Sequence, residues 1–132
     1  MSELDHLASI PTDKFDTEAI ARARRVGFPT LAPLLPNLLT WLQDMNWPVA
    51  RPVVELLRLA GPELASPIKS VLHSRDVIWI GNVIIETSDS WHQSVWNAVE
   101  CDLRRMRDNP TRPETVESID QIAKLALLGR AR

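Results

Sequence analysis

Prolines fall between short apolar runs all along this chain, and they confine it to short helical segments joined by rigid corners. Proline fixes its own φ, removes an N–H and drives the preceding residue out of the helical region. Ten prolines against four glycines mean that the breaks are stiff, not loose. The stretch WLQDMNWPVARPVVELL, from Trp41 to Leu57, shows this most clearly. Pro48 stops the preceding helix by Trp47, and Asp44 or Asn46 offers a cap for a helix that restarts at Pro48. Pro52 then sits in the first turn or so, where a missing N–H costs little. The stretch reads as a tight corner between two helices packed side by side.

The same logic extends along the chain. FDTEAIARARRVG predicts a helix capped by Asp16 or Thr17, with Glu18 at its positive end and Gly27 at a left-handed C-terminal position. Ile20, Ala23 and Val26 face inward there, leaving Arg22, Arg24 and Arg25 to solvent. In TLAPLLPNLLTWLQD, Leu34, Leu35, Leu38, Leu39, Trp41 and Leu42 form a wide apolar stripe, with Trp41 in the core and Trp47 stapling the hairpin. Past the corner, Val53, Leu56, Leu57 and Ala60 are buried and Arg51, Glu55 and Arg58 recur on the opposite face. Arg51 and Glu55 have the spacing of a helix-surface ion pair, worth ~0.3–0.5 kcal/mol.

A helix from Pro62 to about Ser74, a turn at Arg75-Asp76 and a second helix to about Glu86 follow. DVIWIGNVII is β-rich by propensity, but a lone strand has nothing to pair with, so it is assigned to helix. SDSWHQSVWNAVECDLRRMRDNP is the longest helix, started by Asp89 or Ser88 as cap. Trp91, Val95, Val99, Leu103 and Met106 face inward on it, and Trp96 falls half exposed beside them. TRPETVESIDQIAKLALLGR closes the chain with Val116, Ile119, Ile122, Ala123 and Ala126 inward. The expectation is one all-α domain over residues 1–132, with residues 1–15 irregular and about six to seven helices. Helix pairs of roughly 30–45 residues with Asp near the internal turn are the signature of HEAT- and armadillo-like stacks of antiparallel pairs. The interval from Asp44-Met45-Asn46 to Arg75-Asp76 is compatible with that repeat.

Little in the composition points to chemistry. A formal net charge of -2 gives no global attraction for nucleic acid or an anionic membrane. No window approaches the ~18–20 apolar residues of a membrane span. The acidic N-terminus lacks a secretory pattern and Cys101 has no partner for a disulfide, so a cytoplasmic protein is expected. His6, His73 and His92 are isolated from one another and from metal-ligand spacing. Cys101 lies within an amphipathic helix beside Glu100 and Asp102, acids that disfavour a thiolate, so it reads as structural filler and not as a nucleophile. Phosphate-binding glycine loops and nucleophile elbows are absent from the sequence. The reading is a non-enzyme with no catalytic residue, metal or cofactor.

A binding face is the alternative to chemistry. Trp79 shares a helical face with Asn82 and Glu86, and Trp and Arg are enriched at binding hot spots. The competing reading packs Trp79 against the long helix that follows. Second helices of a solenoid line its concave surface, which places Arg51, Glu55 and Arg58 beside Trp79, Asn82 and Glu86 as a partner-binding face. The bland alternative for the charged trio is a solvated surface of internally satisfied ion pairs.

The run Trp41-Leu42-Gln43-Asp44-Met45-Asn46-Trp47-Pro48-Val49-Ala50 resembles the bacterial family called domain of unknown function 5071. Pro11 to Ala19 and Asn109-Pro110-Thr111 support the resemblance, whereas Ile80 to Asp108 departs from it and is a place for function-specific surface. The resemblance implies a small HEAT-like helical domain with no assigned catalytic residues. Such domains are similar to immunity proteins of interbacterial toxin systems, so the expected function is to bind and neutralise a cognate toxin protein. The alternatives are a nucleic-acid module using Arg22-Arg24-Arg25 and Arg104-Arg105-Arg107, which is ranked lower, and a structural adaptor.

Overall fold

The computed structural model describes residues 8–130, and every regular element among them is helical, with no strand. The first seven residues of the segment expected to be irregular, His6 among them, lie outside the described residues. Helix α1 (Thr17–Val26) starts where expected: the Asp16 carboxylate accepts from the Ala19 N–H. Gly27 ends it at φ 74°, a left-handed conformation that favours glycine. Val26 lies outside the buried set that Ala19, Ile20 and Ala23 form on this helix.

The proline-punctuated leucine run folds as a 3₁₀ turn, Ala32–Leu34, leading into the six-residue α2 (Leu35–Thr40), with Pro36 in its first turn. The corner follows. Its second helix, α3 (Ala50–Leu57), begins two residues later than Pro48 and carries no side-chain cap. Asp44 instead turns back on the Asn46 N–H at 2.9 Å, shaping the loop. Trp41 and Trp47 meet edge to face at 5.7 Å, so the staple is in place, and both rings pack against the core while half-buried. Val53, Leu56, Leu57 and Ala60 are buried, and Arg51, Glu55 and Arg58 point outward.

A 3₁₀ turn at Pro62–Leu64 precedes α4 (Ala65–Leu72), and α5 (Val77–Thr87) follows. Asp76 caps α5 by accepting from the Trp79 N–H, which lets this β-branched run close as a helix. The third 3₁₀ turn, Ser88–Ser90, leads to α6 (Gln93–Asp108), the longest helix. Its cap is His92, whose Nδ1 accepts from Ser94, not Asp89 or Ser88. Trp96 is 7% exposed, not half exposed, because α8 covers it.

The closing segment is two helices, α7 (Arg112–Val116) and α8 (Ile119–Arg130), which brings the described α-helices to eight instead of six or seven. Ser118 breaks the segment at φ 59°. The break rotates Val116 away from the Ile119–Ala123 stripe, leaving it 70% exposed where an inward position was expected. Helix α6 packs on α4 and α8, α5 packs on α8 and α3, and α1 packs on α3. One apolar core runs through them, from Ile20 to Ala123. Gly81 permits the α5–α8 approach, since a Cβ there would stand 3.2 Å from Ile119 Cδ1.

Helix α7 is tied to α6 by a buried carboxylate. Glu114 receives both Arg105 guanidinium nitrogens at 2.9 and 2.7 Å and closes a capping box with Thr111. The Arg105 hydrogen bonds hold the Glu114 carboxyl below its ordinary value of 4.5. Its stabilisation is therefore complete above that ordinary value and is lost as pH falls through the lower folded value. Glu114→Gln should cost about 1–3 kcal/mol at neutral pH. In thermal melts, the gap between wild type and variant should hold from pH 7 to about pH 5 and then narrow.

Candidate functional site

Of the six predicted residues, Arg51 and Arg58 on α3 meet Glu86 on α5, whereas Trp79 and Asn82 turn toward α2. Most of the six are thus engaged internally. The Trp79 Nε1–H donates to the Leu39 carbonyl at 2.8 Å, and Asn82 Nδ2 donates to the Leu42 carbonyl at 2.8 Å. The Leu39 carbonyl also takes the Leu42 N–H at 3.1 Å, so Trp79 is an additional donor there, and the two side chains fasten α5 to the end of α2 and the turn after it. Trp79 thus faces back toward α2, not toward the long helix that follows. The ring also edges a hollow of about 170 Å³ with Leu39, Ser66, Ser70 and Val71 around it.

The charged residues cross-link the two helices. Arg51 holds Glu86 at 2.7 and 3.4 Å, and Arg58 reaches the Glu86 carbonyl at 3.2 Å. Arg58 also grips both carboxylate oxygens of Asp89, one of them at 3.0 Å. The Arg58 hydrogen bonds hold the Asp89 carboxyl below the usual range, and those of Glu86 raise Arg51 in return. Glu55 stays exposed on α3 and is in none of the ion pairs found among the described residues. Arg51 prefers Glu86 across the helix boundary to Glu55 on its own helix. Asp89 belongs to this face and sequence reading missed it, because its place before α6 made it look like a cap.

A second feature lies behind α5. A groove of about 650 Å³ opens between the end of α5, the start of α6 and α8. Trp91 and Trp96, edge to face at 4.9 Å, line it together with the buried Ile84, and Ile85, Ile122 and Leu125 line it nearer the surface. Ile85 is 60% exposed and Leu125 68% exposed. The Trp91 Nε1–H donates to Thr87 Oγ1 at 2.8 Å, and that hydroxyl donates to the Val83 carbonyl at 2.7 Å. The indole dipole is thereby satisfied inside the protein. Arg130 stands over the Trp96 ring at 5.4 Å and pairs with Glu100 at 2.7 Å. The signal for the groove was present but faint: Ile78 and Ile85 lie seven apart, and Leu125 falls outside the inward stripe of α8.

Other clusters are surface networks. Lys69 on α4 and His73 just past its end both reach the Asp102 carboxylate, at 3.2 and 2.7 Å. Arg104, Arg105 and Arg107 each have a carboxylate partner, in Glu100, Glu114 and Asp108. Arg22 bonds the Ala8 carbonyl and lies 3.9 Å from Glu18. Among the described residues, no three His, Cys, Asp or Glu side chains converge as metal ligands would.

Among known proteins, the family profile described as a domain of unknown function (DUF5071) matches residues 9–127. No curated protein matches the chain.

The fastening role of Trp79 has a direct check. Trp79→Phe keeps most of the ring and removes the donor to Leu39, so it should lower stability by about 1 kcal/mol. Asn82→Ala should act similarly. Chemical denaturation followed by circular dichroism reads both, and unchanged midpoints would return these side chains to a purely surface role.

Proposed function

We propose that this chain, which belongs to the family of the domain of unknown function 5071, is a non-catalytic protein-binding module of the immunity type. On this reading it acts in the cytoplasm, binding and neutralising a cognate bacterial toxin. Its helices form a HEAT-like stack that serves as a rigid scaffold. The single observation that carries the binding reading is the open apolar groove between α5 and α8, with Ile85 and Leu125 exposed on it. Exposed apolar surface rimmed by polar residues marks an interaction site on a folded domain. The docking surface is accordingly placed at the groove. Arg51, Arg58, Trp79, Asn82 and Glu86 fix α5 against α2 and α3, and Glu55 stays exposed on α3. A nucleic-acid role draws less support, since the arginines of the Arg104–Arg107 cluster are each matched by a carboxylate.

The test compares wild type and Leu125→Glu as baits in lysate of the source organism, washed in high salt. One stoichiometric protein should remain on wild type and be lost from the variant, with both baits equally helical. Expressed alone, that protein should arrest growth, and co-expression of this chain should restore it. Equal retention on Leu125→Glu would remove the groove as the site. A partner that is harmless alone would remove the immunity reading.

A further inference from the structure

We infer that His92 makes the start of α6 a proton-sensitive joint, fastened while the imidazole is neutral and released when the ring takes up a proton. The inference goes beyond the binding reading above and does not depend on it. Helix caps are usually hydroxyls, carboxylates or amides, which keep their acceptor throughout the neutral range. Here the acceptor is Nδ1 of His92, which takes the Ser94 N–H at 3.0 Å. A backbone N–H only donates, so Nδ1 presents its lone pair and the neutral ring carries its proton on Nε2. Protonation turns Nδ1 into a donor, and the bond to Ser94 is then lost. The new charge also stands at the amino end of a 16-residue helix, where the helix dipole opposes a cation. Both effects act in one direction. The cap is present at high pH and is lost as the pH falls through the titration of the ring. Histidine is the side chain whose ordinary charge change lies between about pH 5 and 8, and this ring is exposed to solvent.

The neighbouring side chains are committed elsewhere. Asp89 is gripped by Arg58, and the Ser90 hydroxyl donates to the Thr87 carbonyl. The Val95 and Trp96 N–H groups reach the His92 carbonyl, so the imidazole serves Ser94. Glu63, in the turn at Pro62–Leu64 that packs on α6, accepts from the Gly61 N–H. Lys69 on α4 pairs with Asp102, Arg130 on α8 with Glu100, and Glu86 at the end of α5 with Arg51. Among the described residues, the histidine held by a carboxylate is His73, against Asp102 at 2.7 Å. Protonation strengthens that contact and breaks the cap at His92, so the two histidines oppose each other in the global stability. The response is therefore local. It falls on the junction between the Ser88–Ser90 turn and α6, where Trp91 and Trp96 line the groove.

Nuclear magnetic resonance on the whole chain tests this. At about pH 8 the ring nitrogen shifts of His92 should place the proton of the neutral form on Nε2. Exchange of the Ser94 amide with solvent is then compared between wild type and His92→Ser, because serine caps a helix and does not titrate. The ratio of wild-type to variant rates should rise about fivefold between about pH 8 and pH 5.5, the factor that matches a cap of about 1 kcal/mol. The rise should follow the midpoint of the His92 ring. Glu114 stays ionised over this range, so the tie between α6 and α7 is constant. His92→Ala lacks the cap at every pH, and its Ser94 amide should exchange fast already at pH 8. A neutral ring protonated on Nδ1 would overturn the inference, as would a wild-type to His92→Ser ratio that does not change with pH. An equal rise at amides along the whole of α6 would also sink it, since the change would then be global.

Discussion

The hydrogen bond from Trp79 to the Leu39 carbonyl ties helix α5, the element that reaches both ends of the core, to the first half of the chain. Helix α2 is six residues long, too short to be stable by its own backbone bonds. Its end gains partners from Trp79 and Asn82, both forty residues further on. The same helix α5 presents Gly81 toward α8, where the missing side chain leaves Ile119 and Ile122 room to close. One helix thus takes its bearings from the first half of the chain and sets the position of the last. Moving α5 would open the core on one side and the groove on the other.

The ion pairs between α3 and the end of α5 play a different part. Exposed pairs of this kind contribute a few tenths of a kcal/mol each, so they do not decide the fold. They decide what the surface offers. Arg51 and Arg58 spend their donors on Glu86 and Asp89, which neutralises the face that looked most like a charged docking site. Glu114 is another matter. It is nearly buried, receives a two-point guanidinium clamp, and closes the start of α7.

Much of the fold was legible in the residues because caps and prolines act locally. Asp16 and Gly27 bracket α1, and Asp76 starts α5 in spite of its β-branched run. What escaped depends on distant neighbours or on a single dihedral. Nothing in TVESIDQ announces that Ser118 takes a positive φ, and that one residue splits a helix and turns Val116 outward. Trp96 is covered by a helix more than twenty residues later, so its own amphipathic pattern could not place it. Of the face expected from Arg51, Glu55, Arg58, Trp79, Asn82 and Glu86, the meeting of Arg51 and Arg58 with Glu86 was legible as a juxtaposition. The turn of Trp79 and Asn82 toward α2 was not, because pairing across helices depends on side-chain reach.

The groove has a floor of core residues, Ile84, Trp91 and Trp96, and on and around its rim stand apolar residues that the core does not need. Ile78, Ile85, Leu125 and Leu128 are each more than half exposed, so a polar residue at any of them would cost the folded state little. Four such positions on two neighbouring helices amount to a surface whose apolar character does not come from folding. The Thr87–Trp91 hydrogen bonds add to this by turning the indole dipole inward. An occupant then meets hydrocarbon and ring, and it loses no hydrogen bond to that indole when water leaves. Association there is driven by removing apolar surface from water, at roughly 25 cal/mol per Å² before the costs of binding. Such a contact should be less sensitive to salt than one made through the arginines of α3.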